Sequence, residues 1–183
     1  MATLFGAMYQ DDMSALRVAD GLQPLFMASR PGYLEYKSTG RQSCDQFIRE
    51  MRSKEIRLAV VLLTSGEMEQ FYGFDLCGSY RLGGIEPLHY PIQDGYAPED
   101  IRSFHVLVRT ISERLARETV LVHCNAGLGR TGTVAAGLLV LAGVSPEAAI
   151  TRVRRARSGA LENRMQESFI HHYHRLVSGR ASP

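Results

Sequence analysis

Hydrophobic residues in this chain are concentrated either in short runs or in stripes with helical spacing. The runs at residues 22–28, 56–63 and 119–122 have the length of buried strands. Helical spacing is clearest between the last two runs, in a stripe formed by Ile101, Phe104, Val108, Ile111 and Leu115. Strands separated by helices in this rhythm predict an α/β fold, with a mostly parallel central sheet and helices on both of its faces.

Capping residues mark where two of the helices begin. Ser43 with Gln46, and Thr64 with Glu67, have the spacing of a capping box and predict a helix start at each position. Pro-Glu-Asp at residues 98–100 suits the first turn of the helix that carries the stripe.

Other segments predict shorter or later elements. Residues 87–90 predict a brief strand, residues 77–84 are ambiguous between a turn and a short helix, and residues 1–20 predict no element. Ser-Pro-Glu at residues 145–147 predicts another helix start. A last helix is expected to bury Phe169, Ile170, Tyr173, Leu176 and Val177.

Composition narrows the class of protein. Among 183 residues, 45% are apolar, and 21 basic against 19 acidic side chains give a net charge of +2. This charge gives no support for nucleic-acid binding, and the longest apolar run, residues 134–144, is too short to span a bilayer. No signal peptide is visible, and three cysteines without paired spacing suggest a reducing compartment. We expect a soluble cytoplasmic protein with one domain over residues 1–183, in which residues 1–40 are a candidate recognition segment.

The most informative stretch is His-Cys-Asn-Ala-Gly-Leu-Gly-Arg-Thr-Gly-Thr at residues 123–133. It follows the predicted strand at residues 119–122 and precedes an apolar run at residues 134–141 that predicts a buried helix. A glycine-bearing turn between a strand and a helix points successive N–H groups into a concave nest, which binds anions with help from the helix dipole. Cys124 lies at the carboxyl end of its strand, where α/β sheets bind ligands.

The side chains of this nest indicate phosphoryl transfer through cysteine. A thiol beside a guanidinium and a helix N-terminus favours the thiolate, which makes Cys124 a candidate nucleophile. Arg130 has the planar fork that matches two phosphate oxygens, and Thr131 is placed to donate its hydroxyl to the sulfur. The predicted phosphate-binding backbone is that of Asn125, Ala126, Gly127, Leu128, Gly129 and Arg130. The alternative is that Cys124 is an ordinary buried core thiol.

Such chemistry also needs a proton donor for the leaving oxygen and a base for the attacking water. Asp94 is the main candidate, because it lies in a loop bounded by proline and glycine directly after a predicted strand. Glu99 and Asp100 are the alternatives, although a place in the first turn of a helix already explains both.

The pattern H-C-x-x-G-x-x-R-T-G-T resembles the signature of the cysteine-dependent protein tyrosine and dual-specificity phosphatases. Tyr-Pro-Ile-Gln-Asp-Gly at residues 90–95 resembles the acid loop of the kinase-associated and regenerating-liver branches, and the similarity to the former runs from about residue 58 to residue 176. The resemblance implies a dual-specificity phosphatase fold, Asp94 as the acid, and no metal or cofactor. A cyclin-dependent-kinase partner does not follow from it, because residues before about 40 match less clearly.

The resemblance also suggests roles for two further residues. His123 precedes the nucleophile in the family, where it shapes the loop and tunes the thiolate; otherwise a histidine at a strand end is a core residue. Gln166 resembles the glutamine that places the hydrolytic water in tyrosine phosphatases. Because Asn163-x-x-Gln166 is also a capping box, both interpretations of Gln166 stay open.

Several charged residues can be explained without a functional role. Arg30 and Lys37 are interpreted as exposed loop charges. One predicted helix carries four arginines that either meet an acidic substrate or are solvated: Arg152, Arg154, Arg155 and Arg157.

No metal site is predicted at the three histidines near the C-terminus. His171 and His174 share a helical face, but the sequence places no acidic ligand beside them and His172. Cys44 and Cys77 are interpreted as structural thiols, with reversible pairing to Cys124 as the alternative.

These observations predict a phosphoprotein phosphatase that hydrolyses phosphotyrosine, phosphoserine or phosphothreonine through a phosphocysteine, with a phosphorylated protein or peptide as its partner. No nucleic acid, membrane or cofactor is expected. The alternatives are a phosphoinositide or RNA 5′-phosphate phosphatase, and a phosphate-binding module without turnover. Uncharged residues at positions 125, 126, 128 and 129 favour protein substrates, because pockets for inositol polyphosphates tend to add cations.

Overall fold

The structure is a computed structural model that describes residues 12–33 and 40–179. Its strands are β1 (Ser14–Leu16), β2 (Leu25–Ala28), β3 (Ile56–Val61), β4 (Glu86–His89) and β5 (Thr119–His123). Its helices are α1 (Arg41–Ser53), α2 (Ser65–Tyr72), α3 (Leu76–Leu82), α4 (Ile101–Leu115), α5 (Gly129–Leu141), α6 (Pro146–Ala156) and α7 (Arg164–Val177).

These strands form a single sheet in the order β1-β2-β5-β3-β4. The central strand β5 pairs in parallel with β2 and β3, β4 pairs in parallel with β3, and β1 runs antiparallel to β2. Because four strands run the same way, their carboxyl ends meet at one edge of the sheet, where α/β proteins bind ligands. The predicted α/β class with a mostly parallel sheet is confirmed.

The helices cover both faces of this sheet. On one face, α1, α2 and α3 enclose a core that includes Ala59 and Val61 of β3. On the other face, α4, α5, α6 and α7 enclose a second core that includes Leu58 and Val60. Adjacent residues of β3 therefore face opposite cores, as the two-residue period of a strand requires.

Helix α5 is buried along nearly its whole length, between the sheet and the neighbouring helices. A helix that is apolar on every side suits this position. Gly137 allows α4 to approach closely, because a Cβ atom there would lie 2.6 Å from Cζ of Phe104. This packing fixes the first turn of α5 directly after the carboxyl end of β5. Within residues 12–33 and 40–179, no helix combines the length and apolar character needed to cross a bilayer.

The helix starts test the predicted caps. Thr64 and Glu67 form a capping box in both directions at the start of α2, as predicted. The box predicted at Ser43 is wrong, since α1 begins at Arg41 after the N-cap Gly40. The buried stripe of α1 extends back to Ser43, so this residue is needed inside the helix.

Three further details differ from the sequence prediction. Asp100 is the N-cap of α4, and its carboxylate accepts hydrogen bonds from the next N–H groups instead of lying in the first turn. Leu176 of α7 is 41% exposed, because the buried stripe of that helix centres on Ile170 and Tyr173. The three-residue strand β1 lies in a region for which no element was predicted.

Candidate active site

The predicted nucleophile follows the central strand of the sheet. Cys124 comes directly after β5, and its side chain is buried. Residues 124–130, here named the signature loop, lead into the first turn of α5. Gly127 turns this loop with a φ of +72°, and a Cβ atom there would lie 2.3 Å from the carbonyl carbon and oxygen of Ala28. Because the contact is with backbone, glycine is the residue that fits this position.

The carbonyl groups of the signature loop are held from outside. The Asn125 carbonyl accepts a hydrogen bond from Arg30 N–H at 2.9 Å, and the Leu128 carbonyl accepts one from the first turn of α5 at 2.8 Å. The Ala126 carbonyl accepts one from Nη2 of Arg157 at 3.1 Å. With these carbonyls bonded to surrounding elements, the amides between them are left to the concave side, as an anion-binding nest requires.

Arg130 ends the signature loop, and its side chain is only 1% exposed. Nη1 and Nη2 donate to Oε2 and Oε1 of Glu67 at 2.8 and 2.9 Å, and Nη1 also donates to the Ile92 carbonyl at 2.9 Å. Nη2 lies 2.7 Å from Oδ1 of Asp94. Burial lowers the pKa of Arg130, but the hydrogen bond to Glu67 and the negative charges around the guanidinium together hold the pKa above its ordinary value. The guanidinium is therefore charged and fixed in orientation.

Glu67 joins the cap of α2 to this arginine. Its Oε2 accepts from Thr64 N–H at 2.8 Å as well as from Arg130. Burial raises the pKa of Glu67, but the hydrogen bonds from Arg130 and Thr64 bring the pKa below its ordinary value. The sequence prediction used Glu67 only as a cap. Its position in the first turn after the carboxyl end of β3, at the ligand-binding edge, is the signal that points to the second role.

Asp94 contacts Arg130 from residues 91–98, here named the acid loop. Its side chain is 61% exposed, and Oδ1 is the atom that lies 2.7 Å from Nη2 of Arg130. Asn163 ties the acid loop to the start of α7, since its Nδ2 donates to the Gly95 carbonyl at 2.9 Å. The structure thus brings Asp94 to the signature loop, whereas the carboxylate of the alternative Asp100 caps α4.

His123 ends β5 beneath the signature loop and is fully buried. Nδ1 lies 3.4 Å from the carbonyl oxygen of Cys124, and Nε2 lies 3.1 Å from the hydroxyl of Tyr80. Burial is the main cause that lowers the pKa of His123, to about 4, so the ring is neutral at neutral pH. Because a carbonyl only accepts, the ring proton belongs on Nδ1, and Nε2 accepts from Tyr80. The ring thereby fixes the carbonyl of Cys124.

Gln166 is buried beside the signature loop. A Cβ atom on Gly129 would lie 2.6 Å from its Nε2. Its Oε1 accepts from Glu162 N–H at 2.8 Å, and its Nε2 donates to the Tyr96 carbonyl at 3.4 Å. Asn163 caps α7 by accepting from Gln166 N–H, but the return bond goes to Glu162. Only half of the predicted capping box therefore forms, and the amide is directed toward the site.

Arg157 is neither solvated nor free to meet a substrate, contrary to both interpretations of the arginine-rich helix. Its side chain is 10% exposed, and Nη2 donates to both carboxylate oxygens of Asp12, at 3.0 and 3.1 Å, and to the Ala126 carbonyl. Asp12 in turn accepts from Ser29 N–H at 2.7 Å. The pair holds the signature loop to the start of the described chain. Nothing in the local sequence indicates it, because Asp12 and Arg157 are 145 positions apart.

Arg30 is likewise not an exposed loop charge. It is half-buried, and its Nε donates to Oδ1 of Asn125 at 2.9 Å. Its guanidinium carbon lies 4.1 Å from the centroid of the Phe71 ring. Lys37, interpreted in the same way, lies outside the described residues.

Cys44, Cys77 and the histidines near the C-terminus form none of the contacts described above. Burial raises the pKa of Cys44 to about 11 and also raises the pKa of Cys77, so both are thiols at neutral pH. Nδ1 of His171 lies 3.6 Å from Glu147, an acidic neighbour that the sequence did not reveal. In the part of the chain that the structure describes, no three His, Cys, Asp or Glu side chains are grouped as a metal site requires.

Comparison with known proteins places this geometry in a family. The family model of the Swiss Army Knife protein, DSP-PTPase phosphatase domain, matches residues 24–170. Cyclin-dependent kinase inhibitor 3 of Homo sapiens is 29% identical over 185 residues, which cover 87% of this chain and 87% of that protein. The protein of the same name from Sus scrofa is 33% identical over 146 residues, or 78% of this chain and 68% of that protein.

Solved structures agree with this family. The crystal structure of kinase associated phosphatase, with its catalytic cysteine replaced by serine, matches with a TM-score of 0.78 and 28% identity over 93% of this chain and 97% of that chain. The active form of Tk-PTP matches with a TM-score of 0.68 and 29% identity over 88% of this chain and 96% of that chain. The predicted resemblance, phosphatase fold and enzyme class are confirmed. The chain belongs to the DSP-PTPase family of cysteine-dependent protein phosphatases.

Proposed function

We propose that this phosphatase hydrolyses phosphorylated protein side chains in two steps, through a phosphocysteine on Cys124. The observation that carries this mechanism is the meeting of the two loops at Arg130. The guanidinium that ends the signature loop lies 2.7 Å from Asp94 of the acid loop. A nucleophile, a phosphate-binding cation and a proton donor therefore share one site.

The phosphate group of the substrate would be held by the amides of residues 125–130 and by Arg130. Three buried side-chain atoms in the described part of the chain have no hydrogen-bond partner, and two of them support this placement: Nε of Arg130 and Oγ1 of Thr131. A buried donor left unpaired costs about 1–3 kcal/mol, and each such group in a native protein has a reason. A phosphate oxygen would accept from Nε, and the sulfur of Cys124 would accept from the Thr131 hydroxyl.

In the first step, the thiolate of Cys124 attacks phosphorus and the bond from phosphorus to the side-chain oxygen breaks. Asp94 donates its proton to this leaving oxygen, so that it departs as a neutral hydroxyl. Arg130 and the loop amides hold the phosphoryl oxygens as charge develops on them. The neutral ring of His123 fixes the carbonyl of Cys124 and so positions the nucleophile.

In the second step, a water molecule attacks the phosphocysteine and Asp94 takes a proton from that water. The sulfur leaves as thiolate, which the Thr131 hydroxyl stabilises by a hydrogen bond, and phosphate is released. Gln166 orients the water, as its burial beside Gly129 supports. Asp94 thus acts as the acid first and as the base afterwards.

This mechanism requires Asp94 to exchange partners. Without substrate its carboxylate bonds to Nη2 of Arg130, which is a donor that a phosphate dianion would also use. Competition for this donor would displace Asp94 toward the leaving oxygen. Its high exposure and the few bonds of the acid loop are consistent with such a movement.

Phosphorylated protein is the substrate class we propose. The variable positions of the signature loop are uncharged (Asn125, Ala126, Leu128 and Gly129), which suits a single phosphoresidue better than a polyphosphorylated lipid headgroup. We also propose that residues 1–183 act as one phosphatase domain, because Asp12 near the start of the described chain bonds to Arg157 beside the signature loop.

The decisive experiment compares aryl phosphate hydrolysis by the wild type, Cys124→Ser and Cys77→Ser. Cys124→Ser should have no turnover, because a serine hydroxyl does not ionise near neutral pH, while the control Cys77→Ser should keep the wild-type rate. Vanadate should still raise the melting temperature of Cys124→Ser, since a ligand stabilises the state it binds. Hydrolysis by a clean Cys124→Ser preparation would contradict the nucleophile assignment.

A second assay tests the substrate class. It compares kcat/KM for phosphotyrosyl peptides, phosphothreonyl peptides and soluble phosphoinositides. We expect the peptides to be preferred. Turnover of the lipid headgroups faster by about tenfold would favour the phosphoinositide alternative.

A further inference from the structure

A second cation lies at the rim of the signature loop. Arg30 follows β2, which pairs in parallel with β5 so that Ala28 lies opposite His123. The pairing continues past both strands, since Arg30 N–H donates to the Asn125 carbonyl at 2.9 Å. The sheet therefore places Arg30 beside the second residue of the signature loop, 95 positions away in sequence.

The Arg30 side chain is held by several contacts. Nε donates to Oδ1 of Asn125 at 2.9 Å, and Nη1 donates to the Pro31 carbonyl at 3.1 Å. That same carbonyl accepts from the hydroxyl of the buried Tyr72 at 3.1 Å. The guanidinium carbon lies 4.1 Å from the centroid of the half-buried Phe71 ring, within cation–π range.

The charge of Arg30 acts on the site, but its surroundings differ from those of Arg130 and Arg157. Arg130 is paired with Glu67 and Asp94, and Arg157 is paired with Asp12. Within residues 12–33 and 40–179, no carboxylate pairs with Arg30. Its positive charge is one of the causes that lower the pKa of His123, after burial and the charge of Arg130. Its field therefore reaches the base of the signature loop.

We infer that Arg30, supported by Phe71, binds a second anionic group of the substrate, next to the phosphate that is hydrolysed. The matching substrates are phosphopeptides in which a carboxylate or another phosphate lies close to the phosphoresidue. A guanidinium whose orientation is already fixed loses little side-chain entropy on binding such a group. This inference rests on the proposed function, because it places the hydrolysed phosphate in the signature loop.

A purely structural role is the competing explanation, since Arg30 also bonds to Asn125. The two roles differ in what they do to selectivity. A residue that only positions the loop affects every phosphopeptide by the same factor. A residue that binds a second anion affects the charged peptides more than the neutral one.

The test uses three phosphotyrosyl peptides that differ at one position beside the phosphotyrosine, which is Ala, Glu or a non-hydrolysable phosphonate residue. Values of kcat/KM are measured for the wild type, Arg30→Leu, Arg30→Lys and Arg41→Leu. Arg41 is the matched control: it is exposed and lies 5.1 Å from the Phe74 ring, outside the site. The Glu and phosphonate arms distinguish a carboxylate from a second phosphate.

The wild type should prefer each charged peptide over the Ala peptide by about tenfold, the size expected of one charge-assisted hydrogen bond. Arg30→Leu should reduce this ratio to about twofold or less, Arg30→Lys should keep part of it, and Arg41→Leu should keep all of it. Added salt should shrink the wild-type ratio, because partly exposed charges are screened. An unchanged ratio in Arg30→Leu, or no preference in the wild type, would overturn the inference.

Binding measurements separate this inference from the proposed function. Dissociation constants of the same peptides are measured for Cys124→Ser with and without Arg30→Leu. A charge preference that disappears with Arg30→Leu supports the inference even if the wild type hydrolyses none of the peptides, a result that would contradict the proposed function alone. Thermal unfolding of each variant verifies that it is folded, and Arg30→Lys serves if Arg30→Leu is not.

Discussion

The signature loop and the acid loop meet at Arg130 but are built in opposite ways. Cys124 is 3% exposed, and the carbonyls of its loop are held by Arg30, α5 and Arg157. Asp94 is 61% exposed. The acid loop beyond Ile92 is tied to the start of α7 by one bond to the Gly95 carbonyl at 2.9 Å and a longer one to the Tyr96 carbonyl at 3.4 Å.

This difference matches the two tasks. A nucleophile and a phosphate cradle work best when their geometry is fixed before the substrate arrives. A group that gives a proton to one oxygen and takes a proton from another must approach and withdraw, and such segments belong to the less stable parts of a fold. Backbone changes in the signature loop should therefore misplace several phosphate-binding groups at once. Backbone changes in the acid loop should leave the signature loop in place.

Among variants that keep the nucleophile, the largest effect on activity is expected from Asp94→Asn. The amide neither gives nor takes the proton, so kcat/KM should fall by roughly 10²–10⁴-fold. The alkaline limb of the pH–rate profile should flatten, because the group whose deprotonation ends activity is removed. Glu99→Gln, directly after the acid loop, is the control, and its profile should match the wild type. If Asp94→Asn keeps the alkaline limb, the acid role moves to Glu99 or Asp100.

A matched pair of glycine changes compares the two loops directly. Gly127 and Gly95 have φ angles of +72° and +77°, but a Cβ atom at Gly127 would lie 2.3 Å from backbone atoms of Ala28, whereas at Gly95 nothing lies within 4 Å. Gly127→Ala should misplace several phosphate donors at once and lower kcat/KM by about 10²–10³-fold. Gly95→Ala should cost only about 1–2 kcal/mol of folding free energy, from its left-handed backbone.

Both glycine variants are measured by urea unfolding and by aryl phosphate hydrolysis. A loss of activity in Gly95→Ala as large as in Gly127→Ala would contradict the contrast, since it would mean that the acid loop is fixed as tightly as the signature loop.

Glu67 holds Arg130, the residue at which the two loops meet, and its removal should lower both the free energy of unfolding and kcat/KM. Glu67→Gln leaves the buried guanidinium of Arg130 without its bidentate partner, which should cost about 3 kcal/mol. We expect kcat/KM to fall by roughly 10–100-fold, because Arg130 is no longer held in one orientation. Thr64→Ala is the control, because it removes the hydroxyl of the cap but keeps the pair between Glu67 and Arg130. It should lower the free energy of unfolding by about 1 kcal/mol and change kcat/KM little. Equal rates in the two variants would mean that Glu67 acts only as a cap.

The sequence predicts the parts of this molecule that depend on local pattern. Short runs of sequence predict the strands β3 and β5, the stripe of α4 and the turn into α5. A loop directly after a strand indicates Asp94, and the family resemblance supports that choice. The strand β1 was not predicted, because three residues paired along one side carry too little pattern.

The contacts that complete the site were not predictable in the same way. Glu67 and Arg130 are 63 positions apart, Arg30 and Asn125 are 95 apart, and Arg157 and Asp12 are 145 apart. Each pair forms because the sheet order brings separate segments to one edge. Three of these residues also have a sufficient local explanation: Glu67 as a helix cap, Arg30 as a loop charge and Arg157 as a solvated arginine. Because that explanation is sufficient, the sequence alone does not indicate their role in the site.

The effect that matters least at neutral pH concerns stability in acid, and it originates beneath the signature loop at His123. Burial lowers the pKa of this ring from 6.5 to about 4. Between these values the unfolded chain binds a proton that the folded protein does not bind, so stability is complete above pH 6.5 and is lost as the pH falls toward 4. From about pH 7 to about pH 4.5 the loss should be roughly 2–3 kcal/mol. Glu67, with a pKa below its ordinary 4.5, loses its contribution only at lower pH.

Urea unfolding at both pH values should show this loss in the wild type and much less of it in His123→Asn. Tyr80→Phe keeps the ring buried, so it should lose about 1 kcal/mol at both pH values and keep the slope. If the free energy of unfolding falls equally with pH in the wild type and in His123→Asn, another group causes the acid sensitivity. Protonation of the His123 ring would then not be what destabilises the signature loop in acid.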